Sequence, residues 1–305
     1  MKPSVGIVGI GNMGLGLALR LRDLGYPVGV RDLDVVREHT ARHHGATVHA
    51  DASAVAQSCE LLIVAVVDAA QTDAVLFGER GAVHGLARGA AVMLCPTLAP
   101  QTIEDCAATL ADYGVHCIDA PMSGGPLRAR DGTMSLMVAC ADGVYARWQG
   151  LLQDLSTRLF RIGTAPGDGA RTKLINNLLA AVNLAGAAEA MALAQALGLD
   201  PAATLAVIEQ SSGQSWIGSD RMRRALAADP SVQAHMALLA KDSGLAMAMA
   251  AAAGAQPRLG QAAAATFAAA CAGGLAAADD SALWAWCAAR LNCASDAPDA
   301  PESAP

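Results

Sequence analysis

Gly9-Ile10-Gly11-Asn12-Met13-Gly14 constrains this chain more than any other segment, because it follows an apolar strand pattern at 5–8 and opens a helical pattern at 14–24. Glycines at this spacing permit a tight turn and let a ligand's phosphates approach the backbone at a helix N-terminus. A glycine-rich turn alone need hold nothing. Strand before and helix after supply the context that a dinucleotide fingerprint requires. Asp32 lies 18 residues past Gly14, at the end of the next strand pattern, 28–31. A carboxylate there can accept hydrogen bonds from ribose hydroxyls and repels a 2′-phosphate, which favours NAD over NADP. The plainer alternative for Asp32 is a solvated strand-end carboxylate. Arg31 beside it could stack on adenine or meet a phosphate.

The rest of the first half continues the alternation of short apolar runs and helical patterns that a parallel α/β sheet produces. Strands are predicted at 60–66, 90–95, 115–119, 133–140 and 158–162, and helices at 34–44, 69–77, 100–113 and 142–155. After residues 163–167 the pattern becomes helical and stays so, with breaks at 200–201, 211–213, 229–230, 256–257 and 273–274. A chain of 305 residues suits two domains, so the boundary is placed near residue 165. A long helix is expected over 169–197. The domains are then 1–165 and 166–293, followed by a polar, Pro-rich tail at 294–305 expected to be disordered. Hydrophobic residues make up 53% of the chain and aromatics only 3%, with Ala dominating the second half, which favours closely packed helices.

Two later segments carry candidate chemistry. Asp119-Ala120-Pro121-Met122-Ser123-Gly124-Gly125-Pro126 follows a strand of the expected sheet, where α/β proteins bind ligands. Ser123 with the Gly124 and Gly125 amides can hold a carboxylate, although a Pro/Gly turn without function would look the same. Lys173 and Asn177 lie four apart on the expected long helix and share one face. Their apolar neighbours Leu174, Ile175 and Leu178 imply burial. Partial burial lowers an ammonium's pKa, as proton transfer near neutrality requires; the alternative is a lysine snorkelling to solvent. Lys241-Asp242 sits in another apolar helix, where an ordinary helical ion pair is the simpler reading.

The net charge of −7 argues against nucleic acid or an anionic membrane as partner. The uncharged stretch 259–278 is long enough to raise a membrane question, but Gln261 and Gly273-Gly274 interrupt it, so soluble helices are expected. A strand pattern begins at Ser4, so no signal peptide is expected. The eight cysteines contain no C-x-x-C pair and no cluster with zinc spacing, so reduced thiols in a cytoplasmic protein and no metal site are expected.

In combination these motifs resemble the β-hydroxyacid dehydrogenase family, from about Val5 to Asn292. The segments carrying the resemblance are Gly9 to Gly14, Asp119 to Gly125, Gly167 to Asn177, and Lys241-Asp242. Within the family, residues 68–78 and 211–216 are similar to the threonate dehydrogenases. Pro96, Leu94 and Val67 stand where family members commonly have Ser, Asp and Pro. The resemblance implies a Rossmann-type doubly wound sheet joined by a long helix to a C-terminal all-α domain, with the active site in the cleft. It implies that Lys173 is the catalytic acid/base and that Ser123, Gly124, Gly125 and Asn177 bind substrate. It also implies that Gly9, Ile10, Gly11, Asn12, Met13, Gly14, Arg31, Asp32, Thr97 and Lys241 bind the cofactor, and that the chain forms a homo-oligomer, a dimer or tetramer. The expected reaction is hydride transfer between NAD and a small hydroxy acid, with a C4 sugar acid such as L-threonate as the expected substrate. Alternatives are 3-hydroxyisobutyrate dehydrogenase or tartronate semialdehyde reductase activity. A 6-phosphogluconate-type decarboxylase would need a basic phosphate pocket and a longer helical domain, and an imine reductase would not need Lys173. A non-catalytic dinucleotide-binding scaffold would have no reason to keep Lys173, Asn177 and Ser123 together.

Overall fold

The computed structural model describes residues 2–293, so the tail at 294–305 lies outside the described residues. The chain divides into two compact units, Met1–Ile175 and the part from Asn176 onward. In the first unit, β1 (Val5–Val8) leads into α1 (Asn12–Asp23), β2 (Val28–Arg31), α2 (Val35–His43) and β3 (Thr47–Val48). Then come α3 (Ala52–Gln57), β4 (Leu61–Val64), α4 (Ala69–Phe77), β5 (Ala91–Leu94), α5 (Pro100–Asp112) and β6 (His116–Asp119). The unit continues through β7 (Met122–Ser123), α6 (Gly125–Asp131), β8 (Ser135–Ala139), α7 (Asp142–Leu155) and β9 (Arg158–Gly163). It ends within α8 (Asp168–Ala196).

Local chemistry starts these helices. The side chains of Asp34, Asp51 and Asp68 accept hydrogen bonds from the backbone N–H groups of Val36, Ala54 and Gln71, capping α2, α3 and α4. Pro100 opens α5, where its missing N–H costs nothing.

β1 to β6 run parallel in the order β3-β2-β1-β4-β5-β6, the strand order of a Rossmann-type doubly wound sheet. Antiparallel β8 extends the sheet beyond β6 and pairs with β7 and β9. Side chains alternate between two buried faces. Val5, Ile7, Leu61 and Ile63 pack toward Leu17 and Leu21 of α1 and Trp148 of α7. Val8, Leu62, Val64 and Val92 pack toward Val55 of α3, Leu76 of α4 and Ile103 of α5. The chain crosses from one side of β1 to the other between β3 and β4, which makes the carboxyl ends of β1 and β4 the crevice for a ligand.

The second unit holds the rest of α8 with α9 (Pro201–Glu209), α10 (Trp216–Leu226), α11 (Met236–Ala252), α12 (Arg258–Ala270) and α13 (Leu283–Cys293). Leu184, Met191, Met222, Phe267 and Leu283 form the centre of its core. α8 is long and apolar enough to cross a membrane by length and composition alone. Its apolar residues Ala181, Leu184, Ala188 and Met191 are instead fully buried in this helical core. The stretch 259–278 is not one helix: α12 ends at Ala270, and a turn with Gly274 at φ +94° follows.

Candidate functional site

The glycine turn joins β1 to α1 at the crevice. Gly9 has φ +88°, and a Cβ there would lie 2.8 Å from the Ala65 carbonyl oxygen just past β4. A Cβ on Gly14 would lie 2.0 Å from the Gly9 carbonyl oxygen, so only glycine lets α1 leave the turn at this angle. Gly11 differs, since a Cβ on it would meet nothing within 4 Å. Gly11, at the N-cap of α1, supplies no side-chain cap, so donors of the first turn are left for a ligand. A closed turn, an open approach over Gly11 and uncapped donors together fit the pyrophosphate of a dinucleotide.

Asp32 is tied into this turn. Its Oδ2 accepts the Ile10 N–H at 2.6 Å, and its Oδ1 accepts the Asp34 N–H at 2.8 Å. Arg31 pairs through Nη1 with Glu38 Oε1 at 2.8 Å, and the same oxygen accepts the Asp32 N–H at 3.1 Å. Glu38 is only 7% exposed. Asn12 Oδ1 accepts from Arg37 Nη2 at 2.9 Å. Thr97 stands half-buried in the loop between β5 and α5.

Ser123 lies on β7 opposite Ser135, and Gly124 and Gly125, at φ +129° and +82°, begin α6. Four residues earlier is Asp119, the last residue of β6, with no solvent exposure. Its Oδ2 accepts the Gly167 N–H at 2.8 Å and the Ala170 N–H at 3.0 Å, which caps the start of α8. A Cβ on Gly169 would lie 2.9 Å from the carboxyl carbon, so that glycine makes room for the cap. Burial pushes the Asp119 carboxyl up to about 6, against the lowering effect of the Ala170, Gly167 and Gly169 N–H groups. Arg171 pairs with Glu104 of α5, a second tie on the same turn. Lys173 follows in the next turn and is 7% exposed. Asp119 thus sits at the root of both the Ser123 segment and the Lys173 segment.

In the second unit, Asn177 Nδ2 donates to Asp242 Oδ2 at 2.6 Å, and Asn177 Oδ1 accepts from Asn176 at 3.0 Å. Lys241 Nζ pairs with Asp242 Oδ1 at 2.8 Å. The Lys241-Asp242 ion pair is therefore extended by an amide to α8. Glu38, Asp119 and Asp242 enter these networks without having been singled out as site residues. Asp242 follows Lys241 directly in the sequence, and the D-A-P-x-S-G-G motif contains Asp119; nothing local marks Glu38.

A family model described as the NAD binding domain of 6-phosphogluconate dehydrogenase matches residues 4–163. One described as NAD-binding of NADP-dependent 3-hydroxyisobutyrate dehydrogenase matches residues 167–287. An L-threonate dehydrogenase of Escherichia coli (strain K12) is 37% identical over 242 residues, which cover 79% of this chain and 80% of that protein. The crystal structure of a 3-hydroxyisobutyrate dehydrogenase from Salmonella typhimurium superposes with a TM-score of 0.88 at 32% identity, covering 93% of this chain and 100% of that one. The structure of Psf3 in complex with NADP+ and 2-OPP superposes with a TM-score of 0.85 at 25% identity, covering 92% and 99%.

Proposed function

The chain belongs to the β-hydroxyacid dehydrogenase family and is an NAD(P)-dependent oxidoreductase acting on a CH–OH group, and within that family we propose that it is an NAD-dependent dehydrogenase of a C4 sugar acid such as L-threonate. The observation that carries the reading is Lys173, a buried lysine held at the start of α8 by the cap that Asp119 makes. Burying an ammonium away from water is costly, and a site that uses its proton explains why it is there.

The nicotinamide ring, when bound, accepts or returns the hydride at the substrate carbinol carbon. The glycine turn and Asp32 bind the dinucleotide, with Thr97 and Lys241 as further contacts. Ser123 and the Gly124 and Gly125 amides hold the substrate carboxylate, and Asn177 accepts or donates to a substrate hydroxyl. Lys173 in its neutral form takes the hydroxyl proton during oxidation. In reduction its ammonium donates to the carbonyl oxygen as charge develops there.

NAD is proposed over NADP because an Asp32 carboxylate at the end of β2 can accept ribose hydroxyls and repel a 2′-phosphate, while Arg31 is already engaged by Glu38. The C4 polyhydroxy acid is supported by the L-threonate dehydrogenase relative. The polar row of Asn176, Asn177 and Asp242 also suits a hydroxyl-rich substrate better than a methyl-bearing one. The Salmonella typhimurium structure supports 3-hydroxyisobutyrate as the second reading. A homo-oligomer, a dimer or tetramer, accords with exposed Ile175, Leu179 and Leu193 along α8 and Leu197 just past its end.

Initial rates at 340 nm across threonate, erythronate, 3-hydroxyisobutyrate and glycerate, each with NAD and with NADP, test the reading. Threonate or erythronate with NAD should exceed the other acids by at least about tenfold, equivalent to about 1.4 kcal/mol of hydroxyl hydrogen bonding. Fastest turnover of 3-hydroxyisobutyrate would overturn the substrate and leave the family intact.

A further inference from the structure

We infer that Glu38 sets the cofactor preference, by withdrawing Arg31 from the ribose position and leaving the Asp32 carboxylate to face the ribose. The inference rests on the NAD reading above and extends it to a residue of α2. An arginine at the end of β2 is placed to receive a 2′-phosphate, and an Asp just past it to receive ribose hydroxyls. This chain has both, at Arg31 and Asp32, so the two adjacent residues alone give opposite answers.

Glu38 resolves the conflict through one oxygen. Its Oε1 accepts from Arg31 Nη1 at 2.8 Å and from the Asp32 N–H at 3.1 Å. The first bond neutralises the guanidinium, and the second fixes the backbone that carries the Asp32 side chain. The Glu38 side chain is 10% exposed, against 29% for Arg31. A 2′-phosphate that recruited Arg31 would therefore strand a nearly buried carboxylate without its cation, which is strongly unfavourable. It would also meet two negative charges, those of Asp32 and Glu38. Arg37 of α2 is engaged too, by Asn12 Oδ1 at 2.9 Å and Asp34 Oδ2 at 3.4 Å. The preference is thus built from α2, one helical turn away from the motif that would be read for it.

Glu38→Gln keeps an acceptor for the Asp32 N–H and removes the charge that holds Arg31. Titration of the apo protein with NAD and with NADP, followed by calorimetry, reads the effect without turnover. The ratio of NADP to NAD dissociation constants should fall by about tenfold or more in Glu38→Gln, a change of one decade in relative affinity. Adding Arg31→Gln to that variant should abolish the gain. Arg31→Lys alone, which keeps a cation on Glu38 but lacks the guanidinium fork that would grip a phosphate, should leave NADP affinity within about threefold, well under the decade expected above. An unchanged ratio in a Glu38→Gln protein that melts like wild type overturns the role of Glu38 and leaves the NAD reading standing. Should Glu38→Gln fail to fold, a large loss of NADP affinity in Arg31→Lys alone overturns it instead. Tighter binding of NADP than NAD by the wild type overturns both the NAD reading and this one.

Discussion

Replacing Asp119 with asparagine removes a charge from a position with no solvent exposure, while keeping an oxygen that can accept from the Gly167 and Ala170 N–H groups. The carboxyl is pushed up to about 6 in the folded chain, chiefly by burial, from an ordinary value of 3.8. Between those two values the folded protein keeps a proton that the unfolded chain has released. The group's stabilising contribution is therefore fully present below pH 3.8 and is lost as pH rises through 6. At about 1.4 kcal/mol for each tenfold change, the window amounts to about 3 kcal/mol. Urea unfolding followed by circular dichroism at a series of pH values from about 4 to about 7 would measure it in both proteins, spanning that window. Stability of Asp119→Asn relative to wild type should increase by about 3 kcal/mol from the acid end to the neutral end, because only the wild type loses this contribution. Parallel stability curves for the two proteins would refute the argument, since they would mean that Asp119 titrates alike folded and unfolded.

Two other substitutions test the site directly. Lys173→Met keeps the apolar stem and should lower turnover by on the order of a hundredfold to ten-thousandfold, with NAD affinity changing within about threefold; near wild-type turnover in a folded Lys173→Met would leave the mechanism without its acid/base. Gly14→Ala places a Cβ 2.0 Å from the Gly9 carbonyl oxygen, so the turn must open. NAD affinity, read by fluorescence titration, should then fall by at least about tenfold, and undiminished binding would show that the turn does not hold the dinucleotide.

What could be read from the sequence was what short-range chemistry decides. β1 and β2 coincide with their predicted spans at 5–8 and 28–31, and α8 runs Asp168–Ala196 against an expected 169–197. Apolar periodicity and Gly, Pro and Asp punctuation act within a few residues, and the breaks near 200, 212, 230, 256 and 274 follow from them. β3, α3, β7 and α6 escaped. β3 and β7 are two residues each, too short for any period, and α3 is a short, Ala-rich segment signalled only by its Asp51 cap. α6 starts at Gly124-Gly125-Pro126, which reads as a turn, although Pro is well suited to a helix's first turn. Glu38 was illegible for a different reason. It lies in a segment rich in charge that looks like a solvated face, and its burial depends on how α2 meets the strand before it. Asp119 likewise bonds to residues 48 and 51 positions away.

The two glycine motifs look alike in sequence but serve different physical ends. Around Gly167-x-Gly169 the missing side chain is space used by the protein itself, because a Cβ on Gly169 would collide with the Asp119 carboxylate that caps α8. In Gly9-x-Gly11-x-x-Gly14 the outer two glycines also serve the chain, one against Ala65 and the other against Gly9. Gly11 alone opens onto free space, next to N–H groups that no side chain caps. Space is therefore left at Gly11 and taken up at Gly169, although the spacing of glycines is what draws attention to both. The second motif contributes indirectly: Gly169 admits the Asp119 carboxylate, the carboxylate caps the start of α8, and Lys173 follows one turn later. Asp119, the first residue of the Ser123 motif, is the residue that makes the two segments a single structural unit.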